Sequence, residues 1–169
     1  MLAMVVGCKE EKKTETIIVE KPVTIVKKAE TQEMSNSEFS ETVKWVNDAY
    51  YSVTIERGVD KSLPVVSDEQ GNKYYDNMVT LTVSRADGSV FFSKTYKKGD
   101  FGSCLDSNTS SRGALLGMVF VRAEGDYLVF SVSVGSPDPN SDEYVPMTLK
   151  LSRMGATQLE RASLDELEG

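Results

Sequence analysis

The sequence predicts an all-β fold: an antiparallel hairpin meander of about eight strands, closed as a barrel or folded as a sandwich, with room for a short helix at either end. Three observations predict it. From Tyr50 onward apolar and polar residues alternate with period two. Glycine-bearing turn signals separate the alternating runs at hairpin spacing. The chain of 169 residues is 40% hydrophobic, enough for one core.

The elements follow in order. Phe39, Val43 and Val46 share one face at helical spacing, with Ser35 or Ser37 as a cap, so a short helix is expected first. Trp45, the single tryptophan, is expected to plug the core. Tyr51, Val53 and Ile55 then alternate with Ser52, Thr54 and Glu56, as Val79, Leu81 and Val83 do with Thr80, Thr82 and Ser84. One buried and one wetter face is the mark of antiparallel sheet.

The turns set the expected registers. A two-residue loop at Asp87-Gly88 places Arg85 opposite Val90, Val83 opposite Phe92, and Val79 opposite Tyr96. Leu81 then meets Lys94, whose stem can lie along the sheet while its amine reaches water. A loop at Glu124-Gly125 places Val121 opposite Leu128, Val119 opposite Phe130, and Gly117 opposite Val132. The last hairpin needs a three-residue loop, Arg153-Met154-Gly155, to set Leu149 opposite Leu159. Asp106 to Gly113 is the longest polar interruption and the expected mobile loop. Ser163 and Glu166 fit a capping box for a closing helix, Ser163 to Glu168.

Ahead of the β domain (residues 38–169), residues 8–37 are expected to form a charged tether. Lys9 to Glu33 holds six basic and six acidic residues and no aromatic, a composition that does not build a core. Two apolar pieces, Ile17-Ile18-Val19 and Val23 to Val26, could pair as a ribbon or add to a sheet edge. As a flexible coil of about 30 residues the tether would span on the order of 30 Å.

The net charge of −7 therefore falls on the folded part. An acidic domain repels phosphate backbones, so no nucleic-acid partner is expected. The chain contains no histidine. That removes Ser-His-Asp and Cys-His arrangements and the commonest metal ligand. No cofactor is expected. Cys104 is read as a lone thiol, a small buried or half-buried residue.

Residues 1–7 read as the remnant of a signal peptide. Val5-Val6-Gly7-Cys8 resembles the lipobox of bacterial lipoproteins, which implies lipid attachment at Cys8 and a membrane partner through that lipid. No basic residue precedes Cys8 and the apolar run is short, so the true start is expected upstream of Met1. Lys9-Glu10-Glu11 resembles the surface-export signal of Bacteroidetes lipoproteins. The stretches YYSVTIERGVDKSLPVVSDEQGNKYYDN, LTVSRADGSVFFSKTYKKGDF and FSVSVGSPDPNSDEYVPMTLKL resemble an uncharacterised domain family of Bacteroidetes lipoproteins, across roughly Trp45 to Leu164. The resemblance implies a shared fold and an outer-membrane address, on the periplasmic or the cell-surface face. It carries no catalytic residues.

Three local patterns hold candidate chemistry. Asp138, Asn140 and Asp142 match the first, third and fifth positions of a calcium loop, but Glu143 and Leu149 stand where glycine and the bidentate glutamate belong. Asp68, Glu69 and Asp76 flank the turn Gln70-Gly71-Asn72 and could supply paired carboxylates. Tyr50, Tyr74, Tyr75, Phe91, Tyr96 and Phe101 could line a sugar or peptide groove, though strand aromatics more often pack. The expected function is a non-enzymatic, lipid-anchored envelope module that binds an envelope protein or a small ligand. The alternatives are a lipid or sugar binder using a barrel interior, and a carboxylate-based hydrolase.

Overall fold

The computed structural model describes residues 30–163. Two four-stranded antiparallel sheets pack face to face as a sandwich. In chain order the strands are β1 (Ser37–Lys44), β2 (Tyr50–Val59), β3 (Val66–Ser67), β4 (Lys73–Tyr74), β5 (Asn77–Arg85) and β6 (Val90–Lys97). After α1 (Ser107–Arg112) come β7 (Ala114–Glu124), β8 (Tyr127–Gly135), β9 (Tyr144–Ser152) and β10 (Thr157–Arg161). Sheet A has the order β1-β2-β5-β6 and sheet B the order β10-β9-β8-β7, while β3 and β4 pair as a small ribbon. The choice between barrel and sandwich is thus resolved as a sandwich.

The interior explains why two sheets suffice. Val53, Val79, Leu81 and Val83 of sheet A meet Leu128, Phe130, Val132 and Val134 of sheet B, all 0% exposed. Full burial of such side chains is worth about 1.5–3 kcal/mol each. The alternation read from sequence is what places them on the facing surfaces. At one end Trp45 sits in an edge-on aromatic cluster with Tyr51 and Phe91, at centroid distances of 5.1 and 5.8 Å. Its indole N–H donates to the Gly125 carbonyl at 3.1 Å, tying the end of β1 to the β7–β8 turn. Trp45 is the core plug the sequence suggests.

Several expectations are corrected. The helix expected over Phe39 to Val46 is strand β1 followed by a tight turn at Val46–Asp48. Phe39 and Val43 lie four apart, an even spacing that suits one strand face as well as one helix face. Asn47 and Asp48 take the left-handed conformation that makes the turn, one that these two residue types tolerate.

The β5–β6 pairing has Val79↔Tyr96, Leu81↔Lys94 and Val83↔Phe92 as expected, but a bulge brings Val90 opposite Ser84 rather than Arg85. The loop closes from Arg85 to Ser89. The β7–β8 register differs throughout its middle: Met118↔Val132, Phe120↔Phe130 and Ala123↔Leu128, with Gly125-Asp126 as the loop. Irregularities at Leu116 and Val121 shift the strand, leaving Val119 and Val121 exposed. Residues 115–121 are apolar without alternation, so their pattern has no phase to fix the inward set. The β9–β10 hairpin is as expected, with Leu149↔Leu159 and Gly155 left-handed at φ 86°. Asp106 to Gly113 is an ordered, capped helix and not an open loop: Asp106 accepts the Thr109 main-chain N–H at 2.8 Å.

The folded unit begins at Thr31, inside the stretch read as tether. Gln32 bridges to β4, donating to the Lys73 carbonyl at 2.8 Å and accepting from the Tyr75 N–H at 2.9 Å. Cys8, Lys9, Glu10, Glu11 and the two apolar tether pieces lie outside the described residues. So does the expected closing helix beyond Ser163.

Candidate functional site

The end of the sandwich opposite Trp45 carries a polar cleft of about 440 Å³. Three elements form its walls: the β3–β4 turn with Asp68 and Glu69, helix α1 with Asp106 and Arg112, and the β8–β9 loop with Asp142 and Glu143. Each wall is built by local side-chain-to-backbone bonding. Asp68 accepts the main-chain N–H groups of Gln70 and Asn72, each at 2.9 Å, and the Asn72 amide at 3.0 Å. Burial pushes its carboxyl up, but those donors and the Tyr74 hydroxyl outweigh burial and hold it below the usual range. Tyr74 is pushed up in turn, by burial first and by the Asp68 charge next.

The β8–β9 loop closes because Gly135 lets two main chains meet. A Cβ there would strike the Glu143 carbonyl oxygen and the Tyr144 Cα. Asp138 turns the loop by accepting the Asn140 N–H at 2.9 Å, and its carbonyl accepts the Ser141 N–H at 3.0 Å. Of the calcium candidates, Asp138 and Asn140 thus make the turn, while Asp142 reaches the cleft. Among the described residues no three His, Cys, Asp or Glu side chains are grouped to hold a metal ion.

Asp76 is separated from Asp68 and Glu69 in role. It is 3% exposed, and its Oδ1 accepts the N–H groups of Asn77 at 2.8 Å and Leu115 at 2.9 Å. Its Oδ2 faces Lys98 Nζ at 3.7 Å. These are structural bonds joining sheet A to sheet B. Asp68, Glu69 and Asp142 are gathered by the fold into one cleft. Asp106, Arg112 and Glu143 belong to it too; the sequence marks them only as parts of a polar stretch and of a calcium-like loop, not as members of one site.

The arrangement can attract cationic groups and accept hydrogen bonds at its rim, where Glu69 and Glu143 are exposed. Residues 17–159 match the family model of a domain of unknown function, DUF4738. The chain belongs to that family. The matched DUF4738 span takes in both sheets and reaches back over the apolar tether pieces. No curated protein matches the chain.

Among the aromatic candidates, Tyr96 and Phe101 stack at 5.5 Å in the core. Tyr74 is buried in the ribbon with Val66 and Ala114, and Phe91 packs on Trp45. Lys61 Nζ lies 5.1 Å from the Tyr75 ring centroid. Tyr50, 53% exposed, is the one of these six that faces solvent freely.

Proposed function

We propose that this DUF4738 chain is a non-enzymatic binding module of the bacterial envelope, of the Bacteroidetes lipoprotein type. It is lipid-anchored at Cys8 to the outer membrane, with Lys9, Glu10 and Glu11 as its export signal. The observation that carries the binding reading is the state of Asp68 and Asp76. They are the buried carboxylates among the described residues, and main-chain donors occupy both. A general acid or base needs a carboxyl free to exchange a proton with substrate, so neither of these two is suited to that role. Glu69, Asp142 and Glu143 stand exposed at the cleft, where they can bind a cationic group. With the interior filled by side chains, the surfaces are left to act. The lipobox resemblance supports the anchor.

The test combines mass spectrometry of protein from the native host with crosslinked pull-downs from whole cells. Acylated Cys8 and a partner that co-purifies reproducibly are expected. Unmodified Cys8 removes the anchor. Failure to recover any ligand or partner in the lipidated form removes the binding module.

A further inference from the structure

The outer face of sheet A carries an array of hydroxyl groups across its middle. Cross-strand pairing puts Ser40, Thr54, Thr82 and Ser93 in one row. Thr42, Ser52 and Ser84 form the next row toward the Trp45 end. On the other side Thr80 stands opposite Thr95. Within the array Ser40 and Thr54 share a hydrogen bond at 3.1 Å, Thr80 and Thr95 one at 2.9 Å, and Thr82 and Ser93 one at 3.3 Å. These residues are exposed on the outer strands β1 and β6 and half-exposed on β2 and β5.

The two ends of the face differ. Tyr50 stands on the same face, paired across from Lys44, whose Nζ lies 5.7 Å from its ring centroid. A shallow cleft lies there, lined by Thr42, Tyr50, Ser52 and Ser84 together with Arg85. At the other end Glu38 sits directly opposite Glu56, and both line a second cleft with Thr80 and Met78. Like charges at directly opposed positions are unfavourable in a sheet, so that pair is not explained by stability.

We infer that this face is the module's ligand-binding strip and that its ligand is a neutral, linear polysaccharide. A paired hydroxyl couple keeps a free donor and spare lone pairs, so it can both give and accept bonds. Sugar hydroxyls have the same dual character. Threonine is stiff at χ1, which lowers the entropy lost on binding. An exposed aromatic ring offers a platform for the C–H face of a pyranose. Glu38 and Glu56 accept from ligand hydroxyls at the far end. The charge pattern selects the ligand: the central rows are uncharged, and the carboxylates at one end repel an anionic chain. The nearby cations are engaged, Lys44 over the Tyr50 ring, Arg85 with Ser89 and Val90, and Lys97 with Asp60. At about 3.3 Å per residue the strip from Tyr50 to Glu56 runs about 20 Å, enough for a short oligosaccharide segment and too long for one sugar.

This assignment rests on the binding-module reading and names its ligand class. The test is affinity electrophoresis of the full chain carrying Cys8→Ser, through gels holding mixed-linkage glucan, xylan, mannan or polygalacturonate. At least one neutral polysaccharide is expected to retard the protein, and polygalacturonate is not. Tyr50→Ala and the double variant Thr54→Val/Thr82→Val should each bind roughly tenfold more weakly, with melting curves confirming that they fold. Valine keeps the shape and β preference of threonine, so loss of binding would report the hydroxyls. Three results overturn the inference: no neutral polysaccharide retards the chain, the variants bind as the parent does, or polygalacturonate binds equally well. Sedimentation showing a dimer that these substitutions dissolve also overturns it, because the face would then be an interface between copies. If no glycan binds yet pull-downs still recover an envelope protein, the strip fails and the binding module stands.

Discussion

Asp76 holds Leu115 across the sandwich: one carboxylate oxygen at the start of β5 accepts the main-chain N–H of the second residue of β7 at 2.9 Å. Asn77 completes the link by donating to the Leu115 carbonyl, also at 2.9 Å. Two adjacent side chains thus imitate a neighbouring strand, and they fix where sheet B begins against sheet A.

Removing that carboxylate should be costly. Asp76→Ala leaves the Asn77 and Leu115 N–H groups buried and unpaired and strips Lys98 of its counter-charge. We expect a loss of about 3–5 kcal/mol in denaturant unfolding. Asp76→Asn keeps one acceptor oxygen and should lose clearly less. Equal losses would show that the link to Leu115 contributes little beyond the charge.

Gly135 tests the close approach at the cleft floor. Alanine there would bring its Cβ to 2.6 Å from the Tyr144 Cβ and into main-chain atoms that have no rotamer to change. Gly135→Ala should cost about 3 kcal/mol. Gly117→Ala is the control, since its Cβ would meet only Arg57 Nη1 at 3.8 Å and should change stability by about 0.5 kcal/mol or less. A Gly135→Ala protein as stable as the parent would refute the geometry of the β8–β9 loop.

Trp45 supplies its own readout. As the single tryptophan, 8% exposed, it should emit at short wavelength when folded and shift red on unfolding. Trp45→Phe keeps a ring but loses the bond to Gly125, at a cost of about 1–2 kcal/mol in denaturant unfolding followed by circular dichroism.

Acid should weaken the domain through Asp68. Its folded-state carboxyl is held below the unfolded value, so the folded form binds that proton less readily. The stabilisation is therefore complete above the ordinary carboxylate range, about pH 4, and is lost as pH falls through the depressed folded value. Asp60, Asp87 and Asp106 act in the same direction through their own turn and cap bonds. Melting temperature against pH for Asp68→Asn should lie below the parent at pH 7 and converge with it in acid. Parallel curves would mean that Asp68 carries no such linkage.

Much of the sandwich was legible because its strands alternate cleanly. Leu128 to Val134 and Val79 to Val83 each present one inward set, and the Arg153-Met154-Gly155 loop follows from asking which loop length pairs Leu149 with an apolar residue. Where the pattern lost phase, at Leu115 to Val121, the register was misread, and so were the exposed positions of Val119 and Val121. The Phe39–Val43 spacing misled for a related reason, since strand and helix both satisfy it. The cleft was legible only as fragments. Asp68, Glu69 and Asp142 were visible as turn residues, but their meeting with Arg112 depends on the packing of α1 against the sandwich end. The hydroxyl face was visible as the wetter half of each strand, and only the cross-strand registers turn it into rows.

The arrangement of the sheets has a consequence for how the chain is made. Sheet A is complete at Lys97, before any strand of sheet B has been synthesised, and within each sheet every long strand pairs with the long strand next to it in sequence. Such local pairing favours rapid formation of each half. For as long as the second half is still emerging, the first exposes Val53, Leu81 and Val83 to its surroundings. That interval ends only when Leu128, Phe130 and Val132 of β8 cover the face, and until then the half-folded chain is prone to aggregate.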